Sequence, residues 1–161
     1  MSFSLVRAYL IALGVGAFAS AAAFTASVIQ RQQAVGIVYT PEQIIDVLIL
    51  NAWSMVSSGV LSLALLEAIA LAVALSAAAG IRRLIRAPGF LVYSIAGAAA
   101  FVALFSSAEM GVAIMFGGLE NAVSGQVGFF GAVTGSFLGL FLQATAGALA
   151  GLIYAIVRPR R

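Results

Sequence analysis

The chain has 161 residues with a mean hydropathy of +1.16, 63% of them hydrophobic and only 8% charged, about a third of the charge of an ordinary soluble domain, which excludes bulk water as its main solvent. Cysteine and histidine are absent, which removes disulfides, thiolate chemistry, the usual zinc sites and the common axial ligands of haem, so no metal or cofactor is expected. The net charge of +3 is carried by eight arginines gathered at the ends of apolar stretches, not spread over a continuous basic surface, and nucleic acid is not an expected partner.

Four apolar stretches run from Ala8 to Ile29, Val56 to Ala79, Phe90 to Phe116 and Phe129 to Val157, each longer than the ~20 residues that cross a ~30 Å hydrocarbon core. They are apolar on every side and rich in Ala and Leu, unlike the alternating segments of about 10 residues in a membrane β-barrel. The expected fold is all-α: an integral membrane four-helix bundle, antiparallel and up-down-up-down, forming one domain over residues 1–161. Arg7 and the triplet Ala17, Phe18, Ala19 resemble a secretory signal with a cleavage site, but the apolar run continues to Ile29, longer than the usual signal core of about 7 to 15 residues. A retained first span is the expectation.

After a polar loop from Gln30 to Tyr39, Thr40, Pro41, Glu42 and Gln43 form a helix-start signature. Thr40 can cap, Pro41 suits the first helical position, Gln43 can close a capping box and Glu42 complements the dipole. A helix running unbroken from Pro41 to Ile81 would hold 41 residues and measure ~60 Å, about twice the hydrocarbon thickness. Residues 41–55 are therefore read as an outer helical extension, with Trp53 as an interface anchor and Ser57, Ser58 and Gly59 as a natural bend. The short segment from Arg82 to Gly89 makes the second and third spans antiparallel neighbours, and the glycines and Asn121 between Gly117 and Gly128 are turn chemistry.

Orientation follows from the arginines. Arg7, Arg82, Arg83, Arg86, Arg158, Arg160 and Arg161 share one side, and the other holds Arg31 alone with Glu42, Asp46 and Glu120. A seven-to-one bias places both termini in the cytoplasm by the positive-inside rule, with Arg82, Arg83, Arg86 and Arg158 as cytoplasmic anchors.

Depth can be counted along the helices. With Trp53 at the outer interface and Arg82 at the inner, 29 residues rise ~43 Å and put Glu67 at the midplane. The same count places Gln143 and Ser20 at that level. With no basic residue at matching depth, Glu67 is expected in its neutral form, able to donate a hydrogen bond, and Gln143 is its expected partner. On that reading Glu67→Gln is mild and Glu67→Leu destabilises. Glu109 falls roughly 10 Å outward of the midplane and joins Glu120, Glu42 and Asp46 as an outer-side carboxylate, with Arg31, Ser106 and Ser107 in reach.

The last span carries Gly131, Gly135, Gly139, Gln143, Gly147 and Gly151 at strict four-residue spacing, a pattern that lets helix backbones approach closely. The row drifts about 40° per step, so its two ends face different neighbours and Gln143 stands at the changeover. Ala70, Ala74 and Ala78 are the matching small face expected beside Glu67.

The run LLEAIALAVAL, Leu65 to Leu75, resembles the carboxylate-bearing helix of rotary ATPase proteolipid subunits. The likeness covers one helix in four. Arg31, Gln32, Gln33 stands 36 residues before Glu67 instead of in the family's polar loop, and the last span has no carboxylate, so the likeness reads as convergence. The runs IRRLIRAPGFLVYSIAGAAAF and AGALAGLIYAIVRPRR are similar to a loose set of four-span inner-membrane proteins of alphaproteobacteria with no established activity, which implies a bacterial inner membrane. Small multidrug exporters also carry a membrane carboxylate, but in their first span, where this chain has none.

Three functions are weighed. Catalysis needs a convergent polar constellation, which the outer carboxylates do not supply, so no enzyme is expected. Permeation of protons, ions or small solutes would need an oligomer using Glu67. The expectation is an accessory, assembly or structural membrane component whose partners are the lipid bilayer and either its own copies or another membrane protein.

Overall fold

The computed structural model describes residues 3–57, 63–85, 87–116 and 137–159. Within them the chain forms five helices: α1 (Phe3–Ala34), α2 (Pro41–Ser57), α3 (Leu63–Leu84), α4 (Gly89–Phe116) and α5 (Phe137–Val157). Four of these, α1, α3, α4 and α5, are long and apolar enough to cross a membrane. The architecture is that of an all-helical, multi-pass membrane protein. Gly131, Gly135, Glu120, Arg86, Arg160, Arg161, the bend residues Ser58 and Gly59 and the 117–128 turn lie outside the described residues, as does the side chain of Glu109.

The helix ends follow local chemistry. α1 closes on Gly36, whose φ of 90° is the left-handed conformation that glycine adopts without steric cost. The Ile37 N–H donates to the Gln32 carbonyl and the Gly36 N–H to that of Gln33, both at 3.0 Å, a Schellman closure that satisfies otherwise orphaned carbonyls. α2 opens with a reciprocal capping box: the Thr40 N–H donates to Gln43 Oε1 at 2.9 Å and the Gln43 N–H to Thr40 Oγ1 at 3.4 Å. α2 is described to Ser57 and α3 from Leu63, and the expected bend between them falls on residues 58–62, outside the described residues.

In lipid a leucine gains little by moving from acyl chains to protein, so close contact must hold the helices together. α5 is the hub, packed broadly on α4 and α1; α3 lies on α4, and α2 lies against α1. Along α1 the buried row is Ala8, Ala12, Gly16, Ser20 and Phe24, at four-residue spacing. Gly16 faces α5 so closely that a Cβ there would stand 2.9 Å from the Ala150 Cβ.

The α4–α5 seam is tighter. The carbonyls of Gly97 and Gly147 each point at the other's α-carbon, and Gly151 meets the Tyr93 carbonyl, an approach that admits Cα–H···O contacts and no side chain. Phe101, Phe105 and Tyr93 fill the space beside it. Leu10, Phe18, Ile69, Val73, Ile95, Phe141 and Ile156 point outward, the composition of a lipid-facing surface.

The small face expected on α3 packs against the core, with Ala78 buried and Ala70 and Ala74 at its margin. The buried face of α3 is Leu63, Glu67, Leu71, Leu75 and Ala78, while Ala70 and Ala74 are only half-buried. Positions 67, 71 and 75 continue the carboxylate's own four-residue row, and 70 and 74 lie off its axis.

Candidate functional site

The first polar contact in the interior joins α1 to α5. Ser20 Oγ donates to Gln143 Oε1 at 2.8 Å, and Gln143 Nε2 donates back to the Ser20 carbonyl at 3.2 Å. Both side chains are fully buried. The two bonds close a ring that uses the amide as donor and acceptor at once, satisfying groups that would be costly in hydrocarbon. Small residues make the approach possible: Gly16 and Ala12 precede Ser20 on α1, and Gly139 and Gly147 flank Gln143 on α5.

Glu67 enters this junction from α3 and is 0% exposed. Neither carboxyl oxygen has a hydrogen-bond partner among the described residues. The Ser20 hydroxyl faces the carboxyl but falls short of hydrogen-bond geometry with it, and bonds Gln143 Oε1 instead. The expected Glu67–Gln143 pair is therefore not made. The glutamine amide is taken up by α1, and the carboxyl is left beside the ring it was expected to complete. An unpartnered carboxyl inside a bundle is one of the more costly groups a membrane protein can hold.

Two further polar layers flank the junction. Tyr9 Oη donates to the Ala68 carbonyl at 2.5 Å, tying α1 to the residue that follows Glu67. On the other side, Thr25 Oγ1 donates to the Ala21 carbonyl at 2.8 Å and accepts from Asn51 Nδ2 at 3.0 Å, so Thr25 anchors α2 to α1. Tyr9, Thr25 and Asn51 were not singled out from the sequence. Polarity inside an apolar run was their available signal, the same one that marked Ser20.

The other candidates disperse. Glu42 and Asp46 are exposed near the start of α2. The Glu42 carboxyl is held below the usual carboxylate range, first by hydrogen bonding to its own backbone amide and then by the Thr40 hydroxyl, which is a capping role. Gly147 and Gly151 face α4, whereas Gln143 faces α1, the change of neighbour that the drift of the row requires. Gly97 and Gly16, which the four-residue pattern did not highlight in their own helices, complete those contacts. Arg82, Arg83 and Arg158 lie at the ends of α3 and α5.

Among the described residues no three His, Cys, Asp or Glu side chains gather into a group that could hold a metal. What the junction offers chemically is one carboxyl that can carry or release a proton, next to a hydroxyl and an amide already engaged with each other. Fold and site together define a class: a multi-pass helical membrane protein with a buried acid that has no hydrogen-bond partner among the described residues. Comparison with protein-family models, curated proteins and solved structures gives no match.

Proposed function

We propose that this chain is a small, non-catalytic component of the bacterial inner membrane that supports or assembles with another membrane protein. In this reading α1, α3, α4 and α5 cross in antiparallel up-down-up-down order with both termini in the cytoplasm. The seven-to-one arginine bias supports the orientation. The contact order supports the directions: Gly16 meets Ala150 while Ser20 meets Gln143, and Tyr93 meets Gly151 while Gly97 meets Gly147.

The observation that carries the reading is the filled seam between α4 and α5, where backbone meets backbone at Gly97, Gly147 and Gly151. A bundle closed in this way presents a fixed shape, which suits a scaffold better than a conduit. The test is isolation of the native protein from cross-linked membranes: a stoichiometric membrane-protein partner is expected, and recovery of the chain only as isolated copies would overturn the reading.

The unpartnered carboxyl favours a second reading, in which an oligomer passes protons or small cations by way of Glu67. Proteoliposome flux separates the two. An accessory component gives no flux with either wild type or Glu67→Gln, whereas a conduit gives wild-type flux that the substitution abolishes.

A further inference from the structure

At the end of the bundle that holds Arg82 and Arg158, a cleft of about 580 Å³ opens between α3, α4 and α5. Its polar lining is Arg82, Arg158 and Tyr93, and its apolar walls include Phe90, Leu152 and Ile156. The volume falls within the range of sites that hold a small ligand.

Both guanidinium groups are steered there by aromatic or glycine neighbours instead of by acids. Arg158 donates to the Tyr93 hydroxyl, with its Cζ 4.7 Å from the centre of the same ring, a cation–π geometry. Tyr154 packs edge-on against Tyr93 at 5.2 Å, fixing the ring on which Arg158 rests. Arg82 lies across the start of α4, where a Cβ on Gly89 would stand 3.1 Å from its Nε, so the missing side chain makes room for the guanidinium. The amino end of the 28-residue α4 adds partial positive charge on the same side. No carboxylate among the described residues pairs with either arginine.

Two cations thus share a cleft with no counter-ion among the described residues, at the end of the apolar helices, beside apolar walls. We infer that the cleft binds the phosphate of an anionic phospholipid, with the arginines on the headgroup and the first part of an acyl chain against Phe90, Leu152 and Ile156. Basic pockets between transmembrane helices are suited to such headgroups, because the guanidinium fork matches phosphate oxygens and the lipid supplies the apolar remainder. The site stands on the membrane architecture and is independent of the partner proposed above.

The experiment uses the full chain in detergent and titrates phosphatidylglycerol, phosphatidylcholine or inorganic phosphate while following lipid retention by native mass spectrometry and thermal stability. Wild type should retain phosphatidylglycerol and gain stability with it, and should show neither effect with phosphatidylcholine. Arg82→Gln, at an exposed position where the fold should survive, should weaken phosphatidylglycerol binding about fivefold, the worth of one surface arginine. Arg83→Gln, whose side chain lies outside the cleft, should leave it unchanged. Equal losses in the two variants would mean diffuse surface attraction and overturn the site. Matching protection by inorganic phosphate would overturn the lipid as its occupant.

Discussion

The α4–α5 seam and the Glu67 junction are both buried, both built from small residues at helical spacing, and held together in opposite ways. At the seam, shape decides everything: carbonyls of one backbone occupy the space where the other helix would carry side chains. At the junction, shape leaves room for a carboxyl whose polar needs go unmet. Contact by contact, the seam gives dispersion and Cα–H···O attraction with nothing left over. The junction gives two good hydrogen bonds and one uncompensated group. Stability in this protein is thus concentrated where the sequence is chemically bland, and the one side chain with evident chemistry sits where it detracts from stability.

The seam should break most easily. A Cβ on Gly151 would stand 2.6 Å from the Tyr93 carbonyl carbon and 3.0 Å from the Ser94 Cα. Both are backbone atoms, so the helices themselves must separate. Gly151→Ala should therefore lower stability by about 3 kcal/mol, the upper end of ordinary overpacking, and Gly147→Leu should prevent recovery of a monodisperse protein. Thermal unfolding in detergent and size-exclusion profiles test both. A Gly151→Ala protein as stable as wild type would show that the α4–α5 backbone contact is not what holds the bundle.

The junction should respond with the opposite sign. Had Glu67 paired with Gln143, an apolar replacement would have orphaned the amide and destabilised the fold. The amide is instead satisfied by Ser20, so Glu67→Leu removes a buried polar group without breaking a bond and should raise stability by about 2 kcal/mol. Gln143→Leu takes away the amide ring and should cost about 1 kcal/mol, since Ser20 can turn its hydroxyl to a carbonyl of its own helix. The pair forms a sharp test in thermal unfolding: a destabilised Glu67→Leu would mean that the carboxyl has a partner after all.

How much of this was legible beforehand differs between the two regions for a physical reason. Hydropathy reports which segments avoid water, and it located α4 to within one residue at both ends but α1 and α3 only to within about five to seven. α1 overruns its apolar core at both ends, from Phe3 to Ala34, because a helix continues past the hydrocarbon wherever caps permit. Counting 1.5 Å per residue put Ser20, Glu67 and Gln143 on one level, and the three do meet at one junction. Their pairing was not legible, because it depends on rotations of tens of degrees about each helix axis, which composition does not encode. The same limit explains the buried face of α3, where a row of Leu71 and Leu75 was buried in preference to Ala70 and Ala74. The seam was half visible: the glycines of α5 stood out, and Gly97, alone in its helix row with Tyr93, Phe101 and Phe105, did not.

A smaller effect is expected outside the bundle core, at the start of α2. Thr40→Ala removes the hydroxyl that accepts from the Gln43 N–H and bonds the Glu42 carboxyl, a capping loss of about 1 kcal/mol confined to that helix's first turn. Acid should act on the same turn. A carboxyl held below its ordinary range in the folded state stabilises that state at neutral pH and stops doing so as pH falls through its folded value. Amide hydrogen exchange near Ile44 and Ile45 should therefore quicken below the usual carboxylate range in wild type. If Glu42 were replaced by Gln, the pH dependence should vanish from this turn.

The smallest effect sharpens the comparison most, because it changes the same residue type in the same kind of helix. Gly14 lies two positions from Gly16 on α1, and a Cβ there would meet nothing within 4 Å, since it points away from α5 toward lipid. Alanine is the better helix former by about 1 kcal/mol, but in a helix already held by its neighbours much of that difference is lost, so Gly14→Ala should leave thermal stability unchanged or raise it slightly. Gly16→Ala should lower it, because its new methyl would stand 2.9 Å from the Ala150 Cβ. The pair isolates contact from propensity: the helix and the chemical change are shared, and only the direction of the added carbon differs. Equal responses in the two variants would mean that glycine's backbone freedom governs α1, and that the approach of α1 to α5 does not.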